Sequence, residues 1–145
     1  MTTIVERSVV INATAEEIDA ITLDGSRLPE WFTGVSSAIV DETYPEPGGA
    51  VNVVYKAAGA TFNMTMTSLR LSRGQSLLLR LEGMIVGKSR WIYTQEGEGT
   101  RLTSRFEYDM PGGEVGKALN KLVVERINTE NLEKSLNSLK ALVEA

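Results

Sequence analysis

The longest periodic stretch of the chain lies at its C-terminal end and predicts an amphipathic helix over Val115–Ala145. Leucine and valine recur there at intervals of three and four residues, which is the spacing of one helix face, and lysine and glutamate occupy the other side. The apolar face is built from two groups displaced around the axis: Leu119, Leu122 and Val123, then Leu132, Leu136, Leu139 and Val143. Such a helix requires a large apolar partner.

The N-terminal part predicts one strand followed by two short helices. Thr3–Ile11 alternates loosely between apolar and polar residues and predicts a strand. Thr14 and Glu17 have the spacing of a capping box, so a short helix is expected to run to about Thr22. The aromatic residues of 28–32 indicate a second helical turn that packs onto a core.

From Ser36 onward the pattern has a period of two, which is typical of antiparallel strands with one covered face. Glycine-rich or proline-rich turns separate the strands. The strands are predicted near Ser36–Tyr44, Val51–Lys56, Thr61–Leu71, Leu77–Glu82, Arg90–Tyr93 and Arg101–Tyr108. The chain is therefore predicted to be an α+β domain in which a sheet wraps one long helix.

Length and charge restrict the class of protein. The chain has 145 residues, which is typical of a single domain spanning 1–145. Its net charge is −4 and its basic residues are dispersed, which argues against a nucleic-acid partner. The apolar runs are too short for a membrane span and no signal segment opens the chain, so a cytoplasmic location is expected.

The chain contains neither cysteine nor histidine. This composition excludes thiol nucleophiles, imidazole bases, the usual zinc ligands and every Ser-His-Asp arrangement. No metal and no cofactor is predicted. Any chemistry must use carboxylates, hydroxyls, lysine, arginine or tyrosine.

One face of the predicted strands carries a wall of aromatic and thioether side chains. Its members are Phe62, Met64, Met66, Trp91, Tyr93, Phe106 and Tyr108. For any single member, packing in an ordinary core is the simpler interpretation. Taken together these side chains are bulky yet adaptable, as in promiscuous apolar sites, and the inward serines Ser89 and Ser104 are unusual for a dry core.

The order of elements and four segments resemble the SRPBCC superfamily, whose START-like members have a helix-grip fold, and within it the polyketide cyclase/dehydrase and lipid-transport branch. The segments are Ile11–Ile18, Leu28–Trp31, Gly99–Thr103 and Leu136–Leu142. The resemblance implies a curved antiparallel sheet of about seven strands around the long C-terminal helix, with two short helices after the first strand. It also implies an elongated apolar cavity that holds a lipid, sterol or polyketide-like molecule.

We therefore predict that the protein binds a small hydrophobic molecule for storage, transport or sensing. A polyketide cyclase or dehydratase using the same cavity is the second hypothesis, and an interaction module similar to Hsp90 activators is the third. In the second hypothesis the polar groups that could assist are Tyr55, Tyr93, Tyr108 and Arg126, but nothing in their spacing requires it and no catalytic residue is assigned. The predicted ligand-binding residues are Tyr55, Phe62, Met64, Met66, Trp91, Tyr93, Ser104, Phe106, Leu119, Leu122, Val123 and Arg126.

Arg126 is the one charge that falls inside the first apolar group of the long helix. Its stem could cover apolar surface while the guanidinium pairs with Glu130 or reaches water. Alternatively, it could point into the cavity and bind the acidic or carbonyl group of a ligand. The sequence leaves both alternatives open.

Overall fold

The computed structural model describes residues 2–57, 59–83, 85–110 and 121–145. One strand and three short helical segments precede six further strands and a long helix. The elements are β1 Thr3–Ile11, α1 Ala15–Thr22, a 3-10 turn at Gly25–Arg27, α2 Leu28–Trp31, β2 Val35–Val40, β3 Ala50–Ala57, β4 Ala60–Ser72, β5 Ser76–Gly83, β6 Val86–Glu96, β7 Gly99–Asp109 and α3 Lys121–Glu144.

The seven strands form one antiparallel sheet in the order β1-β7-β6-β5-β4-β3-β2. Strands β2 to β7 form a continuous meander, and β1 pairs with β7 from Thr3 opposite Tyr108 to Ile11 opposite Thr100. Because β1 and β2 are the two edge strands, α1 and α2 carry the chain from one edge to the other. The curved sheet holds α3 against its inner face, so the predicted helix-grip α+β fold is confirmed.

The first helix begins as the sequence predicts. Thr14 Oγ1 accepts a hydrogen bond from the Glu17 backbone N–H at 3.1 Å, and Glu17 Oε1 accepts one from the Thr14 N–H at 3.2 Å. This reciprocal capping box satisfies two of the amides that a helix start leaves without a partner. It sets the point at which the chain leaves β1 and turns across the sheet.

Strand β2 is shorter than predicted. It ends at Val40, because the Asp41 carboxylate accepts hydrogen bonds from the backbone N–H groups of Thr43, Tyr44 and Ala50. These bonds close a loop where the apolar pattern suggested continued strand. The bond from the Tyr44 amide is the main reason that the pKa of Asp41 is lowered. The loop also turns the Tyr44 side chain into the core.

In its second half, helix α3 buries Leu132, Leu136 and Leu139 as predicted, but its first half faces the sheet with a different side from the one predicted. Its buried residues include Val124, Leu132, Leu136 and Leu139. Leu122 and Val123 are instead 73% and 43% exposed. Two steps of four residues from Leu132 toward the N-terminus reach Asn128 and then Val124, so the buried stripe runs straight through a polar residue. The predicted helix start at Val115, and Leu119 with it, lie outside the described residues.

One ion pair and two hydrogen bonds to backbone groups hold the helix against the edge strand β1. Arg7 pairs with Glu133 at 2.8 Å, and Lys140 Nζ donates to the Val10 carbonyl at 2.8 Å. The Asn12 backbone N–H, just after β1, donates to the Glu144 carboxylate at 2.8 Å. Within the described part of the chain, no helix is long and apolar enough to cross a membrane.

Candidate functional site

A cavity of about 40 Å³ lies between α3 and the inner face of the sheet. Its lining is almost entirely apolar, with two tyrosines and one asparagine at one end. The lining residues are Phe32, Val35, Val53, Tyr55, Met64, Met66, Leu81, Ile85, Phe106, Tyr108, Asn128 and Leu132. Alternation along β3, β4 and β7 explains why these side chains converge, since inward positions recur every second residue.

The structure brings part of the predicted ligand-binding set to this cavity. Tyr55, Met64, Met66 and Phe106 line it. Phe62 is partly buried against the same core. The remaining predicted strand residues are Trp91, Tyr93 and Ser104, which face inward beyond the lining.

The predicted residues on α3 lie elsewhere. Leu122, Val123 and Arg126 are all exposed, and none of them lines the cavity. For Arg126 this position matches the interpretation in which the guanidinium reaches water. Residues on the stripe through Val124 and Asn128 take the inward places, because the first half of α3 turns a different side to the sheet from the one predicted.

The polar end of the cavity is a chain of hydrogen bonds that we call the tyrosine–asparagine cluster: Tyr55, Tyr108, Asn128 and Asn131. Asn131 Nδ2 donates to Tyr55 Oη at 2.7 Å, and Tyr55 Oη donates to Asn128 Oδ1 at 3.4 Å. Asn128 Nδ2 then donates to Tyr108 Oη at 3.0 Å. Tyr108 accepts the last of these bonds, and its own hydroxyl proton has no acceptor among the described residues. That proton can therefore be donated to another group.

Burial raises the pKa of both tyrosines in this cluster. For Tyr55, hydrogen bonding to Asn131 partly offsets that effect, and for Tyr108 the bond from Asn128 does so. Both phenols are therefore protonated near neutral pH. They can donate hydrogen bonds to a carbonyl or hydroxyl oxygen, and they are poor bases.

Sequence reasoning missed Asn128 and Asn131 because it placed polar residues on the solvent side of the helix. The signal was present in the spacing: Val124, Asn128 and Leu132 are four residues apart. A polar residue inside an otherwise apolar helix stripe indicates a hydrogen-bonding partner in the core.

The other end of the cavity meets a layer of tryptophan and serine side chains. Trp91 Nε1 donates to Ser89 Oγ at 3.0 Å, and the Trp91 ring meets the Trp31 ring edge-on with centroids 5.5 Å apart. Trp31 also contacts Phe32 at 5.5 Å, and Phe32 contacts Phe106 at 6.3 Å. Since the two indoles are in contact, the fluorescence of both is expected to respond to a ligand that enters the cavity.

Tyr93 belongs to a separate contact between the sheet and α1. Its hydroxyl lies 2.6 Å from Thr22 Oγ1, and burial raises its pKa. The carboxylate of Asp19 accepts a hydrogen bond from the Gly74 backbone N–H in the β4–β5 turn. These bonds hold α1 over the end of the sheet beyond the Trp91 layer, and Tyr93 is not among the residues that line the cavity.

Comparison with known proteins agrees with this architecture. The sequence matches the family described as polyketide cyclase / dehydrase and lipid transport over residues 2–144. No curated protein sequence matches the chain.

Several solved structures are similar. The Zhui aromatase/cyclase from Streptomyces sp. R1128 has a TM-score of 0.86 and 16% identity, covering 99% of this chain and 94% of that one. A protein from Thermus thermophilus has a TM-score of 0.82 and 23% identity, and the match covers 97% of each chain. A START superfamily protein from Mycobacterium smegmatis has a TM-score of 0.79 and 18% identity, and the match again covers 97% of each chain. At these identities the similarity shows the fold alone.

Proposed function

Because the chain belongs to the polyketide cyclase/dehydrase and lipid-transport family, we propose that it binds a small hydrophobic molecule in the cavity between α3 and the sheet. The observation that carries the proposal is the cavity lining, which is apolar except for the tyrosine–asparagine cluster at one end. A concave apolar surface with a few convergent polar groups is the usual form of a small-molecule site. Binding would serve storage, transport or sensing of the ligand.

The cavity has to enlarge when a ligand enters. Its volume is about 40 Å³, whereas sites for drug-sized molecules measure roughly 300–1,000 Å³. Met64 and Met66 line the cavity, and methionine adapts its shape at low cost because its chain is unbranched and flexible. Phe32 is only partly buried and directly follows the short α2, so its ring can also move aside. The ligand therefore binds by displacing side chains that already contact one another.

The polar end orients the ligand. Tyr108 has a hydroxyl proton to donate, and the amide of Asn128 holds that hydroxyl in place. A single well-placed donor in an apolar cavity fixes the direction in which a carbonyl-bearing or hydroxyl-bearing molecule lies.

Native mass spectrometry of the purified protein tests the proposal, together with titration of an environment-sensitive apolar probe such as 8-anilinonaphthalene-1-sulfonate. Val53→Phe fills the cavity from β3 and is expected to abolish probe binding. Val54→Phe makes the same change at the next residue, which faces the outer side of the sheet, and should leave binding intact. Equal binding by the two variants would place the probe outside the cavity. A protein without bound lipid or probe affinity that instead associates with Hsp90 would support the interaction-module hypothesis.

The tyrosine–asparagine cluster also favours a second candidate, a cyclase or dehydratase. A protonated phenol held by an amide can donate to a ketone oxygen, which assists enolisation and ring closure of a poly-β-ketone. Tyr108→Phe removes that donor without changing the ring. If the protein is an enzyme, this variant is expected to lower the turnover of a synthetic poly-β-ketone while still binding it. If the unmodified protein converts the poly-β-ketone no faster than the uncatalysed reaction does, its role is binding alone.

A further inference from the structure

A groove of about 540 Å³ is separate from the cavity and is lined by residues of β4, β5 and β6. Its volume lies within the range of about 300–1,000 Å³ that is usual for small-molecule sites. Arg70 of β4 and Arg90 of β6 line it, and Leu78 of β5 lies between them on the outer face of the sheet. Gln75, Ser76 and Ile92 are also part of the lining. We call this feature the arginine groove.

A β-bulge places Arg70 on the outer face. On β4, Ser68 lies opposite Leu79 and Arg70 lies opposite Leu78, so the pairing shifts by one residue between them. Without this shift Arg70 would point inward with Ser68, because inward positions recur every second residue. Bulges often redirect a side chain next to a functional site.

Neither Arg70 nor Arg90 has an ion pair among the described residues. Across the strands, Arg70 lies opposite Leu78, and Arg90 lies between Leu78 and Arg105. Six other arginines each pair with a glutamate, and those on the outer face of the sheet are Arg80, Arg101 and Arg105. The two guanidinium groups of the arginine groove are therefore available to an anion from solution.

The strands around the groove bring like charges together. Arg90 lies directly opposite Arg105, and Arg80 lies directly opposite Lys88. Like charges at directly opposite positions of neighbouring strands destabilise a sheet. The chain as a whole has a net charge of −4, so the positive charge here is a property of this surface and not of the composition. A bound anion would offset the repulsion.

Two guanidinium groups in one groove match a doubly charged anion. One guanidinium can bond both oxygens of a carboxylate, whereas a phosphate monoester has three terminal oxygens and a charge of about −1.5 to −2 at pH 7, enough for two. Leu78 lies between the arginines and Ile92 is 36% exposed, so both offer apolar surface to the ester group. We propose that the arginine groove is a second binding site, which takes a phosphate monoester with a small apolar group. This site does not depend on the function proposed for the cavity.

Calorimetric titration with phenyl phosphate tests the site. At about 0.15 M salt, charges more than about 8 Å apart are largely screened, so the measurement reports on contacts. One hydrogen bond to a charged group corresponds to about tenfold to hundredfold in affinity. Each of Arg70→Gln and Arg90→Gln should therefore weaken binding by at least about tenfold, and the double variant by about a hundredfold or more. The thermal midpoint of the double variant should stay level or rise, because the repulsion between Arg90 and Arg105 is removed.

Two control variants separate the groove from net charge and from the cavity. Arg80→Gln/Arg126→Gln removes the same charge from one paired arginine of the outer face and one arginine of α3, so it should keep the affinity of the parent protein. Val53→Phe fills the cavity and should also leave phenyl phosphate binding unchanged.

Three further probes define the chemistry. Inorganic phosphate should bind more weakly than phenyl phosphate, because it makes no contact with Leu78 or Ile92. Benzoate should bind more weakly because it carries a single charge. Vesicles of phosphatidylcholine with and without phosphatidate present the same monoester on a lipid, and so show whether a membrane is the source of the phosphate.

Several results would overturn the proposal. Equal affinity of the parent protein and the double arginine variant would exclude the groove, and an equal loss in Arg80→Gln/Arg126→Gln would reduce the effect to net charge. A loss in Val53→Phe would place the phosphate in the cavity. Benzoate or inorganic phosphate that binds as tightly as phenyl phosphate would contradict the ligand class. Binding to phosphatidate vesicles without affinity for phenyl phosphate would make the groove a membrane contact and not a small-molecule site.

Discussion

Substitution of Trp31 by alanine should destabilise the protein more than most single changes. Trp31 is 3% exposed and its ring contacts those of Phe32 and Trp91. Burial of about 150–250 Å² of aromatic surface at about 25 cal/mol per Å² corresponds to about 4–6 kcal/mol. The indole N–H has no partner among the described residues, so its removal also eliminates a desolvation penalty of about 1–3 kcal/mol. The difference between these two figures is about 1–5 kcal/mol. Other substitutions of a core tryptophan or phenylalanine by alanine cost about 3–5 kcal/mol, so we expect a net loss in the upper part of that range.

Urea unfolding followed by far-ultraviolet circular dichroism measures this loss, because the signal does not depend on the removed tryptophan. Trp31→Phe is the matched variant, since it keeps an aromatic ring against Trp91 and removes only the N–H and part of the ring area. Its cost should be smaller than that of Trp31→Ala by at least about 2 kcal/mol. Both variants should retain the m-value of the parent protein, as expected if only the folded state changes.

Two outcomes would refute this reasoning. An unchanged unfolding midpoint for Trp31→Ala would show that the residue is exposed in solution, and would make α2 a lid over the cavity instead of an anchor. Equal losses for Trp31→Phe and Trp31→Ala would show that the indole N–H makes a strong hydrogen bond in the folded protein.

Two further predictions concern charge. Arg126 is exposed, so Arg126→Leu should change the free energy of unfolding by no more than about 0.5 kcal/mol and leave decanoate affinity unchanged; a loss of decanoate binding would show that the guanidinium reaches the ligand. Burial raises the pKa of Tyr44, Tyr55, Tyr93 and Tyr108. As the pH rises, the unfolded state therefore loses these protons before the folded state does. The free energy of unfolding should be constant below about pH 10 and should fall above that pH by up to about 1.4 kcal/mol per pH unit for each tyrosine. Urea unfolding at a series of alkaline pH values measures the slope, and a flat profile would contradict the burial.

Much of the fold could be predicted from local pattern. The capping box at Thr14 and Glu17, the alternation through Met64 and Met66, and the turn residues between strands each depend on neighbours a few positions apart. Helix caps and strand faces obey such short-range rules because the hydrogen bonds and side-chain directions involved are local. Tyr55, Met64, Met66 and Phe106 were assigned to the cavity from their inward positions on the strands and from the family resemblance.

Residues whose role depends on distant partners could not be assigned in this way. Asn128 and Asn131 lie on the helix, and the tyrosines that bond them, Tyr55 and Tyr108, lie on strands far away in the sequence. The strand predicted through Tyr44 ends early because the Asp41 carboxylate bonds amides on both sides of a loop.

The side that the first half of α3 turns to the sheet was also decided by the tertiary structure alone. Periodicity showed that the helix has an apolar face. In its first half, however, either Leu122 and Val123 or the stripe through Val124 could face the sheet. The second arrangement puts Asn128 inside, where two tyrosine hydroxyls can bond it, and leaves Leu122 and Val123 at the surface. Hydrogen bonds to buried polar groups depend on which side chains the folded chain brings together, and that information is absent from the spacing of residues along one helix.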